Sequence, residues 1–160
     1  MPKPHPIALH GALVVLFGSG IFISGRSGIG KSHLILELVE RGHTLVADDL
    51  VTLQVYHNSD HPLDWLQGSV PPLLAGLVQI DGLGIFDVRK VVNPRCHTAS
   101  HPIHLHLQLI DDPAPAAAMV ESSLLTLPVN LTMLANYAVP TMVLNHYQHR
   151  ITPPAAGAYR

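Results

Sequence analysis

The sequence predicts an α/β fold, a mixed β-sheet that opens with an antiparallel hairpin and is flanked by helices. Three observations carry that expectation. Two apolar runs, residues 8–17 and 21–24, are separated only by Gly18-Ser19-Gly20, and so short a glycine turn joins antiparallel strands. A glycine-rich loop follows the second run, and behind it Leu34, Ile35, Leu38 and Val39 fall at helical spacing. Apolar residues make up 48% of the 160-residue chain, enough to bury a core that hides roughly two-thirds of the unfolded surface.

The elements follow in order. Residues 1–6, broken by prolines, read as a loose start. The helix is expected over 31–41, with Gly42 where a C-cap belongs. Residues 44–47 read as a strand with Asp48-Asp49 at its C-terminal end, beside the strand that enters the glycine loop and parallel to it. A further strand is expected over 50–55. Residues 57–72 read as a polar, proline-bearing loop that holds Trp65. Residues 73–80 are apolar, and 81–85 form a turn-like insert before Phe86-Asp87-Val88. Residues 93–102 read as loop. From 103 to 110 the chain alternates, with Ile103, Leu105, Leu107 and Leu109 on one face and His104, His106 and Gln108 on the other, the pattern of a half-buried strand. A proline and alanine linker over 111–118, a strand over 124–129 and a helix over 131–148, kinked or split by Pro140, complete the expectation. Residues 1–150 are expected to form one domain and 151–160 a flexible tail.

Bulk properties exclude several classes. The net charge is -2 with histidine neutral and there is no basic stripe, so no nucleic-acid partner is indicated. No apolar stretch reaches about 18 residues, so no membrane span is expected. Cys96 is the only cysteine. It can form no internal disulfide, which fits a reducing, cytoplasmic setting. Charged residues make up only 12%, about half the usual share. Such a surface relies on neutral polar groups and the twelve histidines, or is partly covered by other subunits.

The loop itself is Gly25-Arg26-Ser27-Gly28-Ile29-Gly30-Lys31-Ser32. Glycine, four residues, glycine, lysine and serine form a phosphate loop. Its glycines let the backbone aim N–H groups inward, and the helix starting at Lys31 adds its positive end. Lys31 is placed to reach β- and γ-phosphates, and Ser32 to ligate Mg²⁺. ATP and Mg²⁺ are therefore the expected cofactors. Asp48 and Asp49 stand at a strand end, where open α/β sheets bind ligands. Two such carboxylates can divide the labour, one holding Mg²⁺ and the other taking a proton from an attacking hydroxyl. His10, taken alone, reads as a structural histidine. His104 and His106 share a strand face and could clip a metal, without a third ligand at suitable spacing. Tyr56 and Trp65 read as packing or interface residues.

These residues also resemble a known family. His10 to Val14, Ile23 to Ser32, Glu37 to His43 and Leu45 to Asp49, with Gly82-Leu83-Gly84-Ile85 further on, resemble the catalytic domain of bacterial HPr kinase/phosphorylase. The resemblance implies a P-loop-containing kinase domain that phosphorylates a serine of the small phosphocarrier protein HPr with ATP. It also implies phosphorolysis of that phosphoserine, and a hexamer. By position, Asp48 resembles the base that deprotonates the target serine, His10 the histidine that supports the acidic pair, and Ser32 and Asp49 the Mg²⁺ ligands. Where the family carries a glutamate and an arginine before Gly-Leu-Gly, this chain has Gln79 and Asp81. Gln79 offers a metal a carbonyl oxygen without charge. Arg89 and Arg95 are the candidates for the family's arginine loop. The chain is expected to be a short form without the N-terminal regulatory domain. Two other readings stay open, a kinase of another peptide or small metabolite and a nucleotide-sensing module without catalysis.

Overall fold

The computed structural model describes residues 5–60, 62–111 and 130–145. They form a mixed α/β structure with several sheets and few helices. Strands β1 (Ile7–His10), β2 (Ala12–Leu16) and β3 (Ser19–Ser24) lead into helix α1 (Lys31–Glu40). Then come β4 (Thr44–Ala47), β5 (Leu50–Tyr56), β6 (Trp65–Ser69), β7 (Leu77–Ile80) and β8 (Gly84–Asp87). The short helix α2 (Val88–Val91), β9 (Ser100–Pro102), β10 (Leu105–Ile110), β11 (Asn130–Leu134) and β12 (Tyr137–Asn145) complete the described chain.

A six-stranded sheet in the order β11-β12-β10-β3-β2-β4 forms the middle layer. On one of its faces Ala12, Val14, Ile23 and Leu45 pack with Ile35 and Val39 of α1 and with Val78, Ile80 and Val88. On the other, Leu13, Phe22 and Val46 meet Val51, Leu53 and Leu66 of the smaller antiparallel sheet β1-β5-β6-β9. Successive side chains of a strand point to opposite faces, so a middle layer buried on both sides reads as an unbroken apolar run. That is why Ala12–Leu16 reads as an unbroken apolar run, which the sequence extends back through residues 8–11 as one strand. The structure divides this stretch at Gly11, whose φ of 154° favours glycine, and β1 joins the smaller sheet while β2 joins the larger.

Several expectations are corrected. Residues 131–148 are not helical where described. β11 and β12 form an antiparallel hairpin, closed by Ala135 and Asn136 at φ 50° and 63°, the positive pair that suits a two-residue hairpin turn. Val139, Thr141 and Val143 favour a strand, and Pro140 is accommodated within β12. The presumed loop 57–72 contains β6, and the presumed loop 93–102 ends in β9. The strand placed at 124–129 and most of the 111–118 linker lie outside the described residues, as does the 151–160 tail. β4 is not the neighbour of β3. β2 lies between them, antiparallel to both, so β3 and β4 still run the same way and end on the same edge. No described helix is long and apolar enough to cross a membrane.

The sheets meet closely at Gly20, buried in β3. Its N–H donates to His104 Nδ1 at 3.0 Å and its carbonyl accepts the His104 N–H at 2.8 Å. A Cβ at this position would run into the Pro102 backbone carbonyl and approach His101 Nδ1 to 3.0 Å. Backbone cannot step aside as a side-chain end can. Gly20→Ala is therefore expected to destabilise the fold by about 1–3 kcal/mol, read from the shift of the urea midpoint.

Candidate functional site

The loop between β3 and α1 opens onto a cavity of about 580 Å³, within the range of small-molecule sites. Gly25 has φ 158°, and a Cβ there would meet the Leu109 carbonyl at 2.9 Å. The loop thus lies flat on the end of β10, a path only glycine permits. Gly30, at φ 111°, is the N-cap of α1 and provides no side-chain cap. The first N–H groups of the helix consequently keep their capacity for an anion.

Of the loop residues singled out above, Gly25, Ser27, Gly28, Gly30, Lys31 and Ser32 line the cavity. Ile29 is buried in the core beneath α1 and fastens the loop from below. The exposed Arg26 turns away, donating to Asp111 at the end of β10 at 2.8 Å and to the Ser27 carbonyl at 3.3 Å. Lys31 donates from Nζ to the Gly25 carbonyl at 2.6 Å and the Arg26 carbonyl at 3.0 Å. Its ammonium is held inside the loop, within reach of any anion that enters.

The acidic pair faces this loop across the cavity. Asp48 is only 6% exposed. Its carboxylate accepts the Ser32 hydroxyl at 3.0–3.1 Å and the Gln79 backbone N–H at 3.1 Å, so one side chain ties together β4, α1 and β7. Burial raises its pKa above the ordinary 3.8. The Gln79 N–H and the Ser32 hydroxyl act against that rise, the charge of Asp49 adds to it, and the Lys31 ammonium opposes it. Asp49, by contrast, is exposed. Its φ is 73°, and the Leu50 N–H reaches back to the Asp48 carbonyl at 2.9 Å, a γ-turn with positive φ, which is rare and strained. The Asp49 carbonyl accepts the Gly11 N–H at 2.9 Å. That bond anchors the junction of β1 and β2 beside the acids and brings the exposed His10, last residue of β1, to the same cavity.

Gln79 and Asp81, on the β7–β8 hairpin, also line the cavity beside Asp48. The cavity therefore sets the carboxylates of Asp48, Asp49 and Asp81 against the single ammonium of Lys31. Its donors are hard oxygens, a set that suits Mg²⁺ shared with phosphate and water. Among the described residues no three His, Cys, Asp or Glu gather into a metal-binding group. Arg89 and Arg95 do not line the cavity. Arg89 is paired with Asp87 at 2.8–2.9 Å, and this hydrogen-bonded guanidinium holds the half-buried Asp87 carboxyl down at about 2. His104 is exposed and receives the Gly20 N–H, whereas His106 is buried. His33, in the first turn of α1, also lines the cavity. By sequence it reads as one of the surface histidines, and it is indeed exposed, but its place two residues beyond Lys31 brings it to the site.

Comparisons with known proteins identify the family. A family model described as the HPr Serine kinase C-terminal domain matches residues 4–150. The HPr kinase/phosphorylase of Caldanaerobacter subterraneus subsp. tengcongensis is 35% identical over 163 residues, covering 94% of this chain and 52% of that protein. That of Chloroherpeton thalassium is 34% identical over 155 residues, covering 86% and 44%. The chain thus spans about half the length of such curated relatives. Among solved structures, the HPr(Ser) kinase/phosphatase of Coxiella burnetii matches with a TM-score of 0.71 and 27% identity, over 87% of this chain and 85% of that one. The chain belongs to the HPr serine kinase C-terminal domain family.

Proposed function

We propose that this chain is an ATP-dependent serine protein kinase whose acceptor is HPr or a similar small phosphocarrier protein. The observation that carries the reading is the placement of Asp48. A buried carboxylate of raised pKa stands one hydrogen bond from Ser32, in the first turn of the helix that follows the phosphate loop. A general base works best when its pKa approaches the working pH. In this reading residues 1–150 form one P-loop kinase domain, and the β- and γ-phosphates of ATP lie along residues 25–32 against Lys31. The acceptor serine oxygen forms its bond to the γ-phosphorus as the bond from that phosphorus to the bridging oxygen of ADP breaks. The serine proton passes to Asp48, and His10 supports the acidic pair from the β1 end. Ser32 and Asp49 would hold Mg²⁺, with the Gln79 carbonyl oxygen as a weaker third donor. The bound ion would neutralise charge on the phosphates. Asp48 is then free to act on the proton, because the transfer needs one carboxylate unshared. The same alignment run in reverse, with inorganic phosphate as acceptor, would give phosphorolysis. A hexamer would cover part of the charge-poor surface.

The test incubates the chain with γ-labelled ATP, Mg²⁺ and HPr from the same organism. Label on a serine of HPr is expected. A specific feature supports a second reading, that of a nucleotide-sensing module. The rim has Gln79 and Asp81 where the family carries a glutamate and an arginine. In that case ATP would bind and remain intact with every acceptor. Turnover of a small hydroxyl compound without any protein would point instead to a metabolite kinase.

A further inference from the structure

A polar thread crosses the six-stranded sheet directly behind the phosphate loop. Ser24 is the last residue of β3 and immediately precedes Gly25. Its hydroxyl lies 2.5 Å from His106 Nε2 on the parallel neighbour β10. His106 is 5% exposed, with its ring tilted against Phe22 at 5.4 Å. Its Nδ1 lies 3.3 Å from the Thr141 hydroxyl, directly across on β12. Thr141, 2% exposed, lies 2.6 Å from the Thr132 hydroxyl on β11 and 3.1 Å from the Val139 carbonyl.

The protons can be counted. A carbonyl has none to give, so the Thr141 hydroxyl donates to Val139. The Thr141 oxygen then accepts from Thr132 and from His106 Nδ1–H. His106 Nε2 is left bare and accepts the Ser24 hydroxyl. Every polar atom of the thread is satisfied with the imidazole neutral. Burial, which lowers the His106 pKa, keeps it so at neutral pH.

The thread has no part in the cavity, yet it fixes the residue from which the loop departs. β10 restrains the following two residues as well, because the Leu109 carbonyl limits Gly25 and Asp111 holds Arg26. We propose that His106 is a positioning residue for the phosphate loop, acting through Ser24 to fix the direction in which the loop's N–H groups face the nucleotide. The inference rests on the nucleotide-binding reading of the loop and assigns this role to residues outside the site.

The test measures ATP affinity by calorimetry in Mg²⁺ and the KM values for ATP and for HPr, alongside thermal melts. Ser24→Ala is expected to weaken ATP binding about fivefold, the factor that corresponds to one ordinary hydrogen bond. The KM for ATP should rise in step and the KM for HPr should stay put. Ser24→Thr, which keeps a hydroxyl, should restore affinity. His106→Leu should match Ser24→Ala, and the double variant should lose no more than either single one. Unchanged affinity in Ser24→Ala, even with a lowered melting temperature, would overturn the inference, and so would additive losses in the double variant. If His106→Leu fails to fold, the Ser24 pair decides the matter alone. Absence of binding by the unaltered chain would overturn the nucleotide reading itself, a result distinct from normal binding in Ser24→Ala.

Discussion

Asp48→Asn is expected to reduce phosphotransfer to HPr by about 10²–10⁴-fold, the range a positioned base contributes, with ATP still bound. An asparagine oxygen can accept the Ser32 hydroxyl or the Gln79 N–H, but it cannot take a proton. Folding and the cradle should survive while the transfer step fails. Parallel measurements of single-turnover transfer and ATP affinity separate the two effects. Undiminished transfer would remove Asp48 from the base role. The raised pKa adds a pH signature. The native state holds the Asp48 proton more tightly than the unfolded chain, whose carboxyl titrates near 3.8. The stability due to that protonated carboxyl is complete below 3.8 and is lost as pH rises through the higher folded value. Urea midpoints plotted against pH should fall across this window in the native chain, and the fall should be shallower in Asp48→Asn. The acid limb of kcat/KM should likewise lie above 3.8. Ser32→Ala removes a hydrogen bond that favours the carboxylate, so it should raise the Asp48 midpoint followed by carboxyl NMR.

Legibility in the sequence divides along physical lines. Local signals were readable. The Gly18-Ser19-Gly20 turn, the loop glycines, the apolar face of α1 and the alternation of β10 each depend on neighbours a few residues away. The acidic pair was readable for the same reason, since a strand after a phosphate-loop helix returns to the same sheet edge. Non-local facts were hidden. Nothing in residues 44–47 shows that β2 would lie between β3 and β4. Gly11 gives no sign in one dimension that the chain changes sheets there. Trp65–Ser69 includes Gly68, a weak strand residue, so β6 was lost in a polar stretch. The β11–β12 turn has asparagine but no glycine, so it lacks the strongest short-range hairpin signal. His106 was misjudged because alternation identifies two faces without saying whether the second is covered. Here that second face is covered too, the one that also carries Phe22, and a residue read as part of a polar face became the centre of a buried thread.

Lys31→Ala is expected to weaken ATP binding and transfer together, each by about 10²–10³-fold, the usual loss for a preorganised charge-stabilising donor. The ammonium is the sole cation among the cavity's described lining, against the carboxylates of Asp48, Asp49 and Asp81. Without it a triphosphate would enter a site of its own sign. The existing contacts of Nζ, with the Gly25 and Arg26 carbonyls, are the ones a phosphate oxygen would replace or share. Lys31→Arg should recover little, because a planar fork cannot occupy the position of a compact ammonium. The melting temperature should change only slightly, since the side chain is half-buried and carries none of the apolar core. The decisive comparison is calorimetry of ATP with Mg²⁺ in the native and Lys31→Ala chains. Equal affinity in the two would mean that the phosphates do not lie along residues 25–32, and every role assigned around that loop would fall with it.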